Sequence, residues 1–144
     1  MQVLRSVEQL YVAPVGLSIR VMLVRGEAMG QGMLNRLMLL GGSIDDNSDL
    51  FTGLEAVIDD PVGYGLLVVD CDHIGGLEAG RRAHMLMGEA IHRVPVILVS
   101  SECKTQEFPE DGGKPVVLRA PVTTLSMRMG FEHALRHRYP LSFA

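Results

Sequence analysis

The sequence predicts an α/β domain, a parallel sheet with helices on both faces, and three observations carry that prediction. Short apolar runs of strand length alternate with longer segments of helical period. Two of the runs, Tyr64-Gly-Leu-Leu-Val-Val69 and Val94-Pro-Val-Ile-Leu-Val99, are apolar almost throughout, as strands covered on both faces must be. The chain has 144 residues, 47% hydrophobic and 21% charged, which suits one domain with a substantial core and excludes a disordered or low-complexity chain.

Each element follows in order. Ser18–Val24 is a β run, and Met29, Met33, Leu37 and Leu40 then recur at helical spacing until Gly41-Gly42 stops the helix. A weaker strand covers about Ser43 to Asn47. Leu50, Leu54, Val57 and Ile58 mark one face of a second helix that Pro61 prevents from continuing. The Tyr64–Val69 strand delivers Asp70 at its C-terminal end. A third helix is expected from about Gly76 to His92, with Leu77, Met87 and Ile91 on one stripe, and Ser100 closes the Val94–Val99 strand.

Residues 101–113 are polar, carry Pro109 and Gly112-Gly113, and offer no apolar face long enough for a helix, so a loop or short turn is expected. Val116–Leu118 makes a fifth strand, Pro121 follows, and Val122 to about Arg138 reads as a final helix capped by Thr123 or Thr124. The domain is thus expected over residues 18–138. Residues 1–17 form an N-terminal extension with a weak stripe of Val3, Val7 and Leu10, and 139–144 form a tail. The final helix is apolar on two sides, Val122, Leu125 and Met129 on one and Met127, Phe131, Ala134 and Leu135 on the other. One side must cover the sheet. Met127, Phe131 and Leu135 are assigned to a partner surface, either a homodimer contact or a docking site.

Composition narrows the partners. Thirteen Lys and Arg against seventeen Asp and Glu leave a net charge of −4, with no basic field to attract phosphate backbones or anionic lipid, so neither nucleic acid nor membrane is an expected partner. No apolar run approaches the roughly 20 residues that cross a bilayer, and Arg5, Glu8 and Pro14 interrupt any signal-peptide core, so a cytoplasmic protein is expected. Two cysteines, Cys71 and Cys103, are too few for a disulfide framework or a four-thiolate zinc site.

In open parallel sheets, sites form outside the carboxyl ends of the strands, where strand order reverses. Those ends supply Arg25, Gly26 and Glu27, then Asp70 and Asp72, then Ser100 and Ser101, then Arg119, Ala120 and Pro121. A carboxylate such as Asp70 at this position can bind a cation or attack a phosphoryl group. Gly26-Glu-Ala-Met-Gly-Gln-Gly32 invites a small-ligand or nucleotide-binding reading, because glycine-rich turns at helix starts cradle phosphates, but neither G-x-G-x-x-G nor G-K-[ST] is present. Cys71, Asp72, His73 and His84 include zinc-ligand types, yet consecutive strand-end residues rarely converge on one ion. No G-x-S-x-G elbow surrounds Ser100, and no catalytic set emerges, so an enzyme is not expected.

The arrangement resembles the response-regulator receiver domains of two-component phosphorelay signalling, five-stranded flavodoxin-like units, over roughly residues 18–138. In that family the third strand ends in the phospho-accepting Asp, matched by Asp70 in Gly65-Leu-Leu-Val-Val-Asp70, and the fourth ends in a Ser or Thr that contacts the phosphoryl group, matched by Ser100. The fifth normally ends in Lys before a cis-Pro; Leu118-Arg-Ala-Pro121 keeps the Pro and places Ala120 at the Lys position. An acidic pair that holds magnesium normally follows the first strand, where this chain has Arg25 and Gly26.

Phosphoryl transfer to a carboxylate sets negative charge against negative charge, which the family offsets with the ion and the Lys. Arg25, Glu27 and Asp72 are the available substitutes for the acidic pocket, and Asp70 with Glu27 would form an incomplete oxygen cage, so magnesium binding is expected to be weak. The fifth strand also lacks the aromatic residue that follows the Ser or Thr inward in ordinary receivers, and the fourth helix is expected to be short or absent. The resemblance therefore implies a pseudo-receiver, and a stand-alone one is expected. It would contact a histidine kinase or a downstream regulator with little or no Asp70 phosphorylation. A working phospho-acceptor is the alternative.

Overall fold

The computed structural model describes residues 19–138; the Val3, Val7 and Leu10 stripe and the tail 139–144 lie outside them. Five strands, β1 (Arg20–Val24), β2 (Ser43–Asn47), β3 (Leu66–Asp70), β4 (Val96–Ser100) and β5 (Val116–Arg119), form one sheet in the order β2-β1-β3-β4-β5. All four pairings are parallel. Four α-helices, α1 (Glu27–Leu39), α2 (Leu50–Asp59), α3 (Leu77–Leu86) and α4 (Thr124–Arg138), complete a flavodoxin-like α/β fold. No helix among the described residues is long and apolar enough to cross a membrane.

Strand alternation divides the core. Val21, Leu23, Leu66, Val68, Ile97, Val99, Val116 and Leu118 point to one face, where Met33, Leu37 and Leu40 of α1 and Met127, Phe131, Ala134 and Leu135 of α4 cover them. Met22, Val24, Leu67, Val69, Val96 and Leu98 point to the other, under Leu54 and Val57 of α2 and Ala83 of α3. β3 is therefore buried residue by residue, which is why its sequence is an unbroken apolar run. The Met29 side chain lies outside those described.

Local chemistry sets the element ends. Gly41 and Gly42, at φ of 90° and 87°, turn the chain out of α1 in the left-handed region. Asp49 caps α2 by accepting the Thr52 N–H at 2.9 Å, and Thr123 caps α4 by accepting the Ser126 N–H at 3.0 Å. Each cap stabilises its helix by about 1 kcal/mol.

The structure corrects three expectations. The helix expected over 76–92 ends at Leu86; Gly88, at φ 57°, leads into a 3-10 turn at Gly88–His92 that tucks Ala90 against the sheet. The Gly26–Gly32 segment, weighed as a glycine-rich ligand-binding turn, is helix from Glu27 onward and leaves only Gly26 outside α1. Met127, Phe131 and Leu135 are buried against the sheet rather than presented to a partner, while Leu125 and Met129 are 67% and 47% exposed. The stripe of four residues at positions 127, 131, 134 and 135 is the broader one and carries the larger apolar area, so it takes the sheet and leaves the narrow pair outside.

Between β4 and β5 there is no helix. The intervening strap instead pairs Glu107 with Val117 in an antiparallel bridge, with N–H···O distances of 2.9 and 3.0 Å, along the outer edge of β5.

Candidate functional site

Strand order reverses at β1, so the crevice between the C-terminal ends of β1 and β3 is where the fold would place a ligand. Asp70 stands there, 5% exposed, with Oδ2 accepting the Gly26 N–H at 3.3 Å. The N-terminus of α1 thus already faces an anion of the chain's own, a favourable placement for a carboxylate. The Gly26 amide is committed to Asp70.

Arg25 does not reach over Asp70. Its guanidinium grips Asp46 of β2 through Nε–Oδ1 at 2.9 Å and Nη2–Oδ2 at 2.7 Å. This fork raises the Arg25 pKa and directs its fixed charge sideways along the sheet edge. Glu27 is exposed at the first turn of α1. Ala120, half-buried, brings no charge to the Lys position; its N–H bonds the Ser100 carbonyl at 3.0 Å, beside a cis Ala120–Pro121 peptide.

Ser100 is fully buried at the end of β4, and its hydroxyl donates to Asp72 Oδ1 at 2.8 Å while accepting the Glu102 N–H at 3.0 Å. The Ser101 N–H also donates to the Asp72 carboxylate, at 2.9 and 3.2 Å. Desolvation pushes Asp72 upward, but the donors from Ser101 and Ser100 outweigh it and hold its carboxyl below the ordinary range. Asp72 is accordingly a partner of the β4 end rather than a further oxygen ligand beside Asp70. Glu102 returns the contact by accepting the Leu77 N–H at 2.6 Å at the start of α3, where a side chain on Gly76 would collide with it.

The remaining candidates disperse. Cys71 is fully buried under α3, where a Cβ on Gly80 would run into its Sγ, and burial pushes the thiol up to about 12, far from a reactive thiolate. His84 is half-buried on α3, held below its ordinary value by burial and by Arg81, with a partly offsetting hydrogen bond to the Gly113 backbone. Among the described residues, no group of three or more His, Cys, Asp and Glu is arranged to hold a metal ion. Arg119 turns to the strap, donating to the Cys103 carbonyl at 3.1 Å and to the Lys104 carbonyl, while its N–H bonds Gln106 at 3.1 Å.

Three participants were invisible to sequence reasoning in these roles. Asp46 neutralises Arg25, Glu102 caps α3, and His73 crosses the crevice, its Nε2 lying 2.7 Å from the Ser48 carbonyl. The only sequence signal was an acidic pair, Asp45-Asp46, in a short edge strand beside two arginines in β1 and just after it. Chemically, the arrangement presents a buried carboxylate at the switch point, while Arg25 and the Ser100 hydroxyl are engaged by Asp46 and Asp72. No family model matches the chain, and no curated protein is significantly similar to it.

Proposed function

We propose that this chain carries a pseudo-receiver domain of two-component signalling, which works in the cytoplasm through contact with another signalling protein and takes a phosphoryl group on Asp70 poorly or not at all. The observation that carries this reading is the contact of Ser100 with Asp72. The hydroxyl at the position that the resemblance assigns to phosphoryl recognition is saturated by a carboxylate of the same chain.

The charge balance supports it. Transfer to Asp70 needs positive charge over the crevice, and Arg25 is held by Asp46 while Ala120 supplies none. The partner is a histidine kinase or a downstream regulator, or a second copy of the chain. Surface charge, net −4, argues for a protein rather than a polyanion.

Intact-mass spectrometry after incubation with acetyl phosphate and magnesium tests the proposal, with an ordinary receiver as positive control and Asp70→Asn as negative control. The expected result is an unmodified mass under conditions that label the control. One added phosphoryl group on the native chain, absent from Asp70→Asn, would overturn the inefficient-acceptor reading in favour of a working receiver. Stabilisation by a nucleotide at micromolar concentration in a thermal-shift panel would replace the signalling reading altogether.

A further inference from the structure

The 3-10 turn Cys71–His73, which follows β3 directly, sends its three side chains in three directions. Cys71 goes down beneath α3 against Gly80. Asp72 goes toward β4, where Ser100 and Ser101 donate to it. His73 goes the opposite way, across the switch point. Its ring lies over Gly26, where an added Cβ would sit 2.9 Å from Nδ1, and Nε2 reaches the Ser48 carbonyl beyond the end of β2 at 2.7 Å. One turn therefore joins the C-terminal ends of β1, β2 and β4, and Asp70, the residue immediately before it, is left 5% exposed.

We infer that the Cys71–His73 turn is a lid over Asp70, fastened on one side by His73 to Gly26 and Ser48 and on the other by Asp72 to Ser100 and Ser101. Asp72 ends on Ser100 of β4 and Cys71 is buried under α3, whereas His73 makes only single side-chain contacts with Gly26 and the Ser48 carbonyl. Such contacts open locally at far lower free energy than the core. His73 is exposed and ends on a backbone carbonyl, whereas Asp72 is held by fully buried Ser100, so the His73 fastening is the weaker one and sets access to the crevice. Gly26 is required for closure, because any side chain there would displace the ring. The inference rests on the proposed function only in taking Asp70 as the group being covered; closure itself is independent of phosphoryl chemistry.

A thiol placed at the covered position reads the lid directly. The full chain bearing Asp70→Cys is treated with iodoacetamide, and the alkylation rate at position 70 is followed by peptide fragmentation, with buried Cys103 as the internal reference. Adding His73→Ala is expected to raise the rate at position 70 about tenfold or more while Cys103 is unchanged. Gly26→Ala, which pushes the ring away from the other side and leaves the turn's own sequence intact, is expected to do the same and guards against a folding defect specific to the His73 variant. A rate at position 70 that changes less than about twofold in both variants would overturn the lid, as would a rate already fast with His73 present. Acceleration of Cys103 in step with position 70 would assign the effect to general loosening and overturn it too. Because no phosphodonor or metal is present, a phosphoryl adduct on the native chain would defeat the proposed function and leave this measurement standing.

Discussion

The two faces of the sheet are closed by different means. On one face α1 and α4 lay down contiguous apolar stripes, with Phe131 and Met127 fully buried at the centre. On the other, α2 and α3 cover β1, β3 and β4, but no helix follows β4, and Val117 of β5 would be left to solvent. The strap 101–113 instead pairs with Val117 along the edge of β5, and Val117 is fully buried. The strap is held there by the Glu107–Val117 bridge, Arg119 to the Cys103 and Lys104 carbonyls, and Arg81 to Glu107 at 3.1 Å, and it reaches round to the first face, where His133 of α4 meets the Pro109 carbonyl at 2.6 Å. On that first face Phe108 packs against the core and meets the His133 ring edge-on at 5.8 Å. A helix covers a sheet through area removed from water, whereas a strap with little apolar area needs directional bonds to do so.

That contrast is breakable, first on the helical face. Phe131→Ala removes the largest fully buried side chain and is expected to cost about 3–5 kcal/mol, whereas Leu125→Ala on the outer side of the same helix should stay within about 0.5 kcal/mol. Urea unfolding of the two variants measures the difference. Equal costs would restore the view that the two sides of α4 are equivalent.

The strap should yield less, and locally. Arg119→Met keeps the aliphatic stem and removes the donors to Cys103 and Lys104, with an expected loss of about 1 kcal/mol. Hydrogen exchange should show the Glu107 and Val117 amides losing protection while those of β3 keep theirs. Uniform loss across the sheet would mean that the strap belongs to the same cooperative unit as the helices.

The smallest effect concerns pH. His84 is held below its ordinary value of 6.5, chiefly by burial, so the unfolded chain binds a proton there more readily than the folded one. Its contribution is intact above pH 6.5 and diminishes as pH falls through the lower folded value. His84→Gln should flatten that part of the stability curve, measured by denaturant midpoints between pH 7.5 and roughly pH 5. An unchanged slope would show that the contact of His84 with Gly113 offsets its burial.

The covered crevice belongs to the same comparison. Like the strap, the Cys71–His73 turn closes its region through a few directional contacts, and it does so where the fold would otherwise be open to a ligand.

Hydrophobic period was enough to give the element order, the parallel α/β class, the missing helix after β4 and the position of Asp70 at a strand end, because burial on a helix stripe or a strand face is written in spacings of two to four residues. It could also show that α4 has two apolar sides. Which side meets the sheet, and which partner each strand-end residue takes, depended on groups far apart in the chain. Arg25 and Asp46 meet only because β1 and β2 pair in one register, with Val24 beside Asn47. Asp72 meets Ser100 across 28 residues, and His73 meets Ser48 across 25. Those pairings are set by strand register and by the path of a three-residue turn, neither of which leaves a periodic trace in the sequence. The tertiary structure therefore decided that Arg25 and the Ser100 hydroxyl are already taken.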